Sequence, residues 1–219
     1  MEKGYDEFIK IENEIYKNAK VNIPDNLSTG NIQLDRGINW ISESSNTILD
    51  FGCGSGSIIF YCAMRGVSKL IGIDLSNEGI KLAKERANLM KYGTYKFILG
   101  SISEINQIKS ESIDAVILSN IIDNLRPNDS IAVLEQVKRI LKEGGKVLIK
   151  LNPYIEPEKF SDLKLKVIED DVIDDGMLLW NQTTDKWRIL LTVYFKEKDF
   201  IHVYFDEYNM FNRMFFMIK

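Results

Sequence analysis

Thr47-Ile48-Leu49-Asp50-Phe51-Gly52-Cys53-Gly54-Ser55-Gly56-Ser57-Ile58-Ile59 reads as an apolar strand that stops at Asp50, a turn on three alternate glycines, and an apolar helix restarting at Ser57. A strand-loop-helix of this kind cradles a ligand. Glycine has no Cβ, so the backbone can take positive φ and let a ligand rest against it, and the helix start behind it presents free N–H groups. A dinucleotide fingerprint places its third glycine three positions after the second. That position is Ser57, and glycine falls instead at Gly56, so the loop is G-x-G-x-G and a nicotinamide-dependent oxidoreductase is disfavoured.

Working outward, Lys69 to Asp74 forms a second buried strand that also ends in an aspartate, 24 residues after Asp50. That is the length of one β-α-β step, and a right-handed crossover puts both carboxylates at one strand-end crevice. Ser76 is an N-cap for a helix over 77–91 that Gly93 closes. Strands follow at Tyr95–Leu99, Ser112–Asn120 and Lys146–Leu151. A helix over 127–141 carries Ile131, Leu134, Val137 and Leu141 on one stripe, with Gly144-Gly145 as its stop. Five strands alternating with helices predict an α/β, doubly wound parallel sheet.

Ahead of this core, residues 5–19 have helical apolar spacing, 24–31 read as a turn-rich linker, and 33–42 as a second helix. Beyond it, apolar runs at 164–168 and 177–180 flank an acidic stretch with Asp175-Gly176 as turn, predicting a small inserted hairpin. Thr184 is expected to cap a helix running through Tyr194. Phe200–Phe205 and Met214–Ile218 have no helix between them and are expected to pair antiparallel.

The chain has 219 residues, 45% of them hydrophobic, enough for one α/β domain with a small appendage. A net charge of -4 offers no basic surface for sequence-independent nucleic-acid binding. Two cysteines, Cys53 and Cys62, give no disulfide framework and suit a reducing cytoplasm. The polar opening Met1-Glu2-Lys3-Gly4 is not a signal peptide, and no apolar run reaches membrane-spanning length. The single histidine, His202, lies in an alternating strand and is expected to pack; no metal site is expected.

The run Asp50-Phe51-Gly52-Cys53-Gly54-Ser55-Gly56 resembles motif I of the class I S-adenosylmethionine-dependent methyltransferases. The resemblance covers about residues 33–219 and is most specific over 47–151. It implies a Rossmann-like, mostly parallel seven-stranded sheet with an antiparallel C-terminal strand. It divides the chain into an N-terminal cap helix and linker (1–32) and a cofactor-binding domain (33–219) with a hairpin inserted at about 155–182. It further implies that Asp50, Gly52, Cys53, Gly54 and Gly56 surround the methionine part of S-adenosylmethionine. Asp74 would accept from both ribose hydroxyls, and Leu75 would pack on the adenine. Ser101 and Ile102 would stand at the adenine edge, where many members carry an acid, and Ser119 and Asn120 at the methionine end.

Residues 120–125 resemble the segment after the fourth strand of small-molecule methyltransferases, which often carries histidines. Asp123 and Asn124 replace them, so no histidine base is implied. Asn152-Pro153-Tyr154 is reminiscent of an N-P-P-Y signature, but it follows the fifth strand rather than the fourth, and that match is rejected. The expected activity is methyl transfer to a small molecule by a cytoplasmic monomer or homodimer, with no nucleic-acid or membrane partner. Catalysis would come mainly from positioning, and no catalytic residue is assigned beyond the candidates Asp123, Asn124 and Trp180. The N-terminal helix, Asp123-Asn124, and the hairpin with Tyr154 and Trp180 would wall an acceptor pocket for a small, partly apolar molecule, amines included. An RNA or protein methyltransferase and a non-catalytic S-adenosylmethionine-binding protein are the alternatives.

Overall fold

The computed structural model describes residues 5–174, 176–206 and 209–219; Met1–Gly4 and Asp175, on which the leader and turn readings partly rest, lie outside them. In chain order the elements are α1 (Asp6–Lys17), α2 (Ile32–Ser42), β1 (Thr47–Phe51), α3 (Ser57–Met64), β2 (Lys69–Asp74), α4 (Asn77–Ala87), β3 (Thr94–Leu99), α5 (Ile102–Asn106) and β4 (Ile113–Ser119). A 3-10 turn (Ile122–Asn124) leads to α6 (Pro127–Ile140) and β5 (Leu141–Leu151). A second turn (Pro157–Lys159) precedes β6 (Lys166–Glu169), β7 (Val172–Asp174), β8 (Leu178–Trp180), α7 (Thr184–Thr192), β9 (Lys196–Phe205) and β10 (Met210–Ile218).

The seven-stranded sheet has the order β3-β2-β1-β4-β5-β10-β9, with β10 antiparallel to both its neighbours and the first five strands parallel. Strand order reverses at β1, whose neighbours are β2 and β4, and this switch point opens the crevice outside the strand ends. Alternation along the strands sends side chains into two cores. Leu49, Val116, Leu118, Val147, Ile149 and Phe215 pack with α6 and α7. Ile48, Ala115, Ile117, Leu148, Met214 and Phe216 pack with α2, α3 and α4.

Several boundaries differ from the sequence reading, each for a local reason. The α6 helix ends at Ile140, because Leu141 already pairs with Ile113 in the sheet; residues 142–145 bulge out before Lys146 pairs with Ala115, so Gly144-Gly145 belong to a strand irregularity. The cap of α7 is Thr183, whose side chain accepts from the Lys186 N–H, and the helix stops at Thr192, which lets β9 begin at Lys196. The expected hairpin is a three-stranded antiparallel sheet, β6-β7-β8: the acidic stretch is itself a strand because Val172 and Ile173 are buried.

Candidate active site

Two backbone bonds strap the glycine loop to β2: the Gly52 and Cys53 N–H groups donate to the Ile73 carbonyl at 2.8 and 3.2 Å. Asp74 completes the clasp. Its Oδ2 accepts from the Gly54 N–H at 2.7 Å and its Oδ1 from the Ser76 N–H at 2.8 Å. Gly54 has φ +49°, and a Cβ built there would stand 2.1 Å from the Tyr16 hydroxyl oxygen; at Gly52, φ +76°, it would meet Ile121 at 2.8 Å. Neither position has room for a side chain.

Tyr16 belongs to α1, which crosses the crevice and is fastened at both ends. At its start, the Tyr5 hydroxyl donates to Asp129 at 2.6 Å and accepts from the Arg126 N–H at 2.9 Å, where α6 begins. Near its other end, Asn13 Oδ1 accepts from the Ser76 hydroxyl at 2.7 Å and the Glu78 N–H at 3.3 Å, where α4 begins. Beneath this strap lies a cavity of about 240 Å³. Gly52, Asp74, Leu75, Ser119 and Asn120 line it at the strand ends, Phe8, Glu12 and Tyr16 from α1, and Asn124, Asn152 and Met177 on the remaining side.

The structure therefore gathers six of the sequence candidates: Gly52, Asp74, Leu75, Ser119, Asn120 and Asn124. The others stand outside the cavity lining. The Cys53 sulfur packs against Gly72, where a Cβ would lie 2.7 Å from it, and burial pushes its thiol well above the usual range. Tyr16 covers Gly54, and the Phe97 ring packs on Gly56. Gly100 rather than Ser101 reaches the cavity; the Ser101 N–H donates to Glu104 at 2.5 Å, and Ile102 packs against the core at the start of α5. Trp180 is 7% exposed and meets Trp187 edge-on at 4.9 Å inside the α6–α7 core, so the side chain expected to wall the acceptor pocket is structural. Asp123 is fully buried and holds the Asn152 N–H at 2.6 Å.

Sequence reasoning missed Phe8, Glu12 and Tyr16 as cavity residues. Their signal was a glutamate one turn before a tyrosine, on the face of α1 that packs inward. It also missed Asn152, which lines the cavity just past β5, and behind it Lys150 near the end of β5 and Arg213 within β10.

Charge at the site is unbalanced. Burial pushes the Asp50 carboxyl up to about 8, the Asp74 charge adding to the effect, and its buried Oδ1 has no hydrogen-bond partner. Burial also raises Asp74, against the pull of its backbone donors, and raises Glu12, with Asp74 adding to it. Three carboxyls held above their usual range around a glycine cradle fit a ligand bearing positive charge, since a cation restores what burial removed.

The family model described as "Methyltransferase domain" matches residues 42–189, and the chain belongs to that family, the class I enzymes that use S-adenosylmethionine. Among curated proteins, the ribosomal protein L11 methyltransferase of Fusobacterium nucleatum is 28% identical over 163 residues, 71% of this chain and 45% of that one. The demethylmenaquinone methyltransferase of Oceanobacillus iheyensis is 30% identical over 108 residues, 48% of this chain and 44% of that one. The chain thus spans less than half the length of these curated relatives. The crystal structure of the PH0226 protein from Pyrococcus horikoshii shares the fold with TM-score 0.70 at 18% identity, over 94% of this chain and 98% of that one. Among the described residues, no helix is long and apolar enough to cross a membrane.

The residues present fit S-adenosylmethionine. Asp74 lines the cavity and has the acceptor oxygens for a ribose diol, and the buried Asp50 carboxyl, with a partnerless oxygen, stands behind the lining, near enough to Asp74 to feel its charge.

Proposed function

We propose that this chain transfers the methyl group of S-adenosylmethionine to a small molecule. The observation that carries this reading is the strap: α1 crosses the strand ends, is pinned to the starts of α6 and α4, and leaves a partly open cavity of about 240 Å³ beneath it. A roof fastened at both ends favours a small acceptor over a loop of a folded protein or an RNA strand. In this reading Asp74 holds the ribose hydroxyls, Leu75 packs on the adenine, and Ser119 and Asn120 flank the methionine end. Asp50, behind the cavity lining, balances the charge of the ammonium from there and is driven toward its ionised form by it. When bound, the cofactor supplies a methyl group on a positively charged sulfur that is an excellent leaving group.

The chain's own contribution is to hold the acceptor in line and to exclude water, which can supply most of the acceleration without a base. Asp123, directed into backbone bonding, acts as a support for Asn152 in this scheme, and Asn124 and Asn152 form the acceptor wall. The division into a cap (1–32) and a catalytic domain follows the same logic, with α1 as the roof.

The name of the Fusobacterium relative keeps protein methylation as the second reading. Incubation with methyl-labelled S-adenosylmethionine against a dialysable metabolite pool, and separately against a protein fraction containing ribosomal protein L11, separates the two. Label in the small-molecule pool is the expected result, and label confined to protein overturns it.

A further inference from the structure

Behind the cavity wall runs a row of side-chain amides with a fixed direction. The Lys150 ammonium donates to Asn120 Oδ1, and the Asn212 amide donates to the same oxygen at 3.2 Å. Asn120 Nδ2 then donates to Asn152 Oδ1 at 2.7 Å, Asn152 Nδ2 to Asn124 Oδ1 at 2.9 Å, and Asn124 Nδ2 to the Leu178 carbonyl at 2.9 Å. An ammonium has no acceptor capacity and a carbonyl has no donor, so neither end tolerates a flipped amide. The backbone supports the same arrangement. Asn120 stands at φ +52° with its N–H on the Lys150 carbonyl at 2.6 Å, the Asn152 N–H is held by Asp123, and the Asn152 carbonyl accepts from Arg213 at 2.9 Å.

Asn120, Asn124 and Asn152 all line the cavity. In the row each amide spends one N–H and keeps one, two donors fill the Asn120 oxygen, and the Asn152 and Asn124 oxygens each keep a single lone pair, so donors are in excess, three to two.

We propose that Lys150 is a positioning residue that, through Asn120, fixes the Asn120–Asn152–Asn124 row as a wall of N–H donors for an acceptor molecule presenting lone pairs, such as a carbonyl, a carboxylate or a ring nitrogen. The acceptor part of this proposal rests on the methyltransferase reading; the row does not.

Lys150 sits over the Phe205 ring at 5.4 Å, and burial lowers its ammonium to about 8. Asp123, on the 3-10 turn, is the charge that opposes this lowering, and Arg213, on β10, faces Asp123 in turn. Asn120, Asn212 and Phe205 around Lys150 are neutral. Loss of the ammonium proton therefore leaves Asn120 Oδ1 with a weaker partner at the end of the row.

The test is ¹H–¹⁵N spectroscopy of the assigned asparagine side-chain amides from pH 6.5 to 9.5. In the wild type, the Asn120, Asn152 and Asn124 pairs should move together with one midpoint near 8. They should lose that dependence in Lys150→Met, and in Lys150→Arg, whose guanidinium stays protonated throughout this range, they should hold their low-pH positions with no midpoint. Once the labelled product is known, Lys150→Met should raise the acceptor KM roughly tenfold and weaken S-adenosylhomocysteine, which Asn120 also flanks, by a smaller factor. The wild-type titration needs no variant to fold. If S-adenosylhomocysteine binds but the three pairs ignore pH or move independently, the inference is overturned and the functional reading stands. If the pairs titrate together in a protein that binds no S-adenosylhomocysteine, the row is upheld and the functional reading falls.

Discussion

Asp50 and Asp74 end neighbouring parallel strands, yet their surroundings ask different things of them. Asp74 already accepts two backbone N–H groups and keeps lone pairs toward the cavity. Its replacement by alanine should remove two charge-assisted bonds to the ribose and weaken S-adenosylhomocysteine binding by about 2 to 4 kcal/mol in calorimetry; unchanged affinity would refute the ribose assignment. Asp50 is a carboxyl without a partner, pushed up to about 8. In the proposed reading a cation brought to the cavity favours its ionised form, so binding at pH 7 should release a proton. Calorimetry at pH 7 in buffers of different ionisation enthalpy should show that release, and Asp50→Asn should abolish it. The same group sets a stability slope. Its folded value lies above the roughly 3.9 of an unfolded aspartate, so the folded state holds a proton the unfolded state has lost. Stability from this group is therefore full below about pH 4 and is lost as pH rises through about 8, by a few kcal/mol in all. Asp50→Asn should flatten that decline, so its gain in thermal midpoint over the wild type should be larger at pH 8.5 than at pH 5.

Among the elements, the strand-loop-helix around Gly54 and the five parallel strands were legible because period-2 runs and glycine spacing are local signals. The N-terminal helix and Asn124 were expected in the cavity wall, but the individual residues of α1 and Asn152 were not legible, because they depend on which face of α1 turns inward and on how the chain leaves β5. Tyr16 was readable as an apolar helical position, but its seat on Gly54 is a tertiary fact. Trp180 illustrates the reverse error: an aromatic in an irregular insertion looked like a ligand wall, whereas a core partner, Trp187, was waiting on α7. Its truncation to alanine should cost about 3 to 5 kcal/mol in denaturant unfolding. S-adenosylhomocysteine affinity, measured at low temperature on the folded fraction, should survive. The strap α1 predicts the opposite pattern. A variant lacking residues 1–20 should stay folded at reduced stability, since no side chain within α1 is fully buried and, among the described residues removed, Tyr5 alone belongs to the buried core. It should release S-adenosylhomocysteine roughly tenfold faster in stopped flow, the loss of about 1.4 kcal/mol of contact with Phe8 and Tyr16. An unchanged release rate would mean that the roof does not retain the ligand.

For the whole molecule, 28 basic against 32 acidic residues leave no excess of positive charge to neutralise phosphates. Titration with a ribosomal RNA fragment at physiological salt is therefore expected to give no saturable binding; a steep salt-dependent isotherm would reopen the RNA alternative. The sheet order carries a consequence in time as well as in space. The strand that covers the outer edge of β5 is β10, which enters between β5 and β9 although it is synthesised after both. On the ribosome, the parallel half of the sheet can form its ligand cradle early, while β5 keeps an open row of backbone donors and acceptors until residues 210–218 have left the exit tunnel. During that interval β9 has no settled place, and the nascent chain is most exposed to pairing with another copy of itself. The strand that sets this sheet apart from an all-parallel one is thus also the one whose arrival ends the most vulnerable stage of the chain's synthesis.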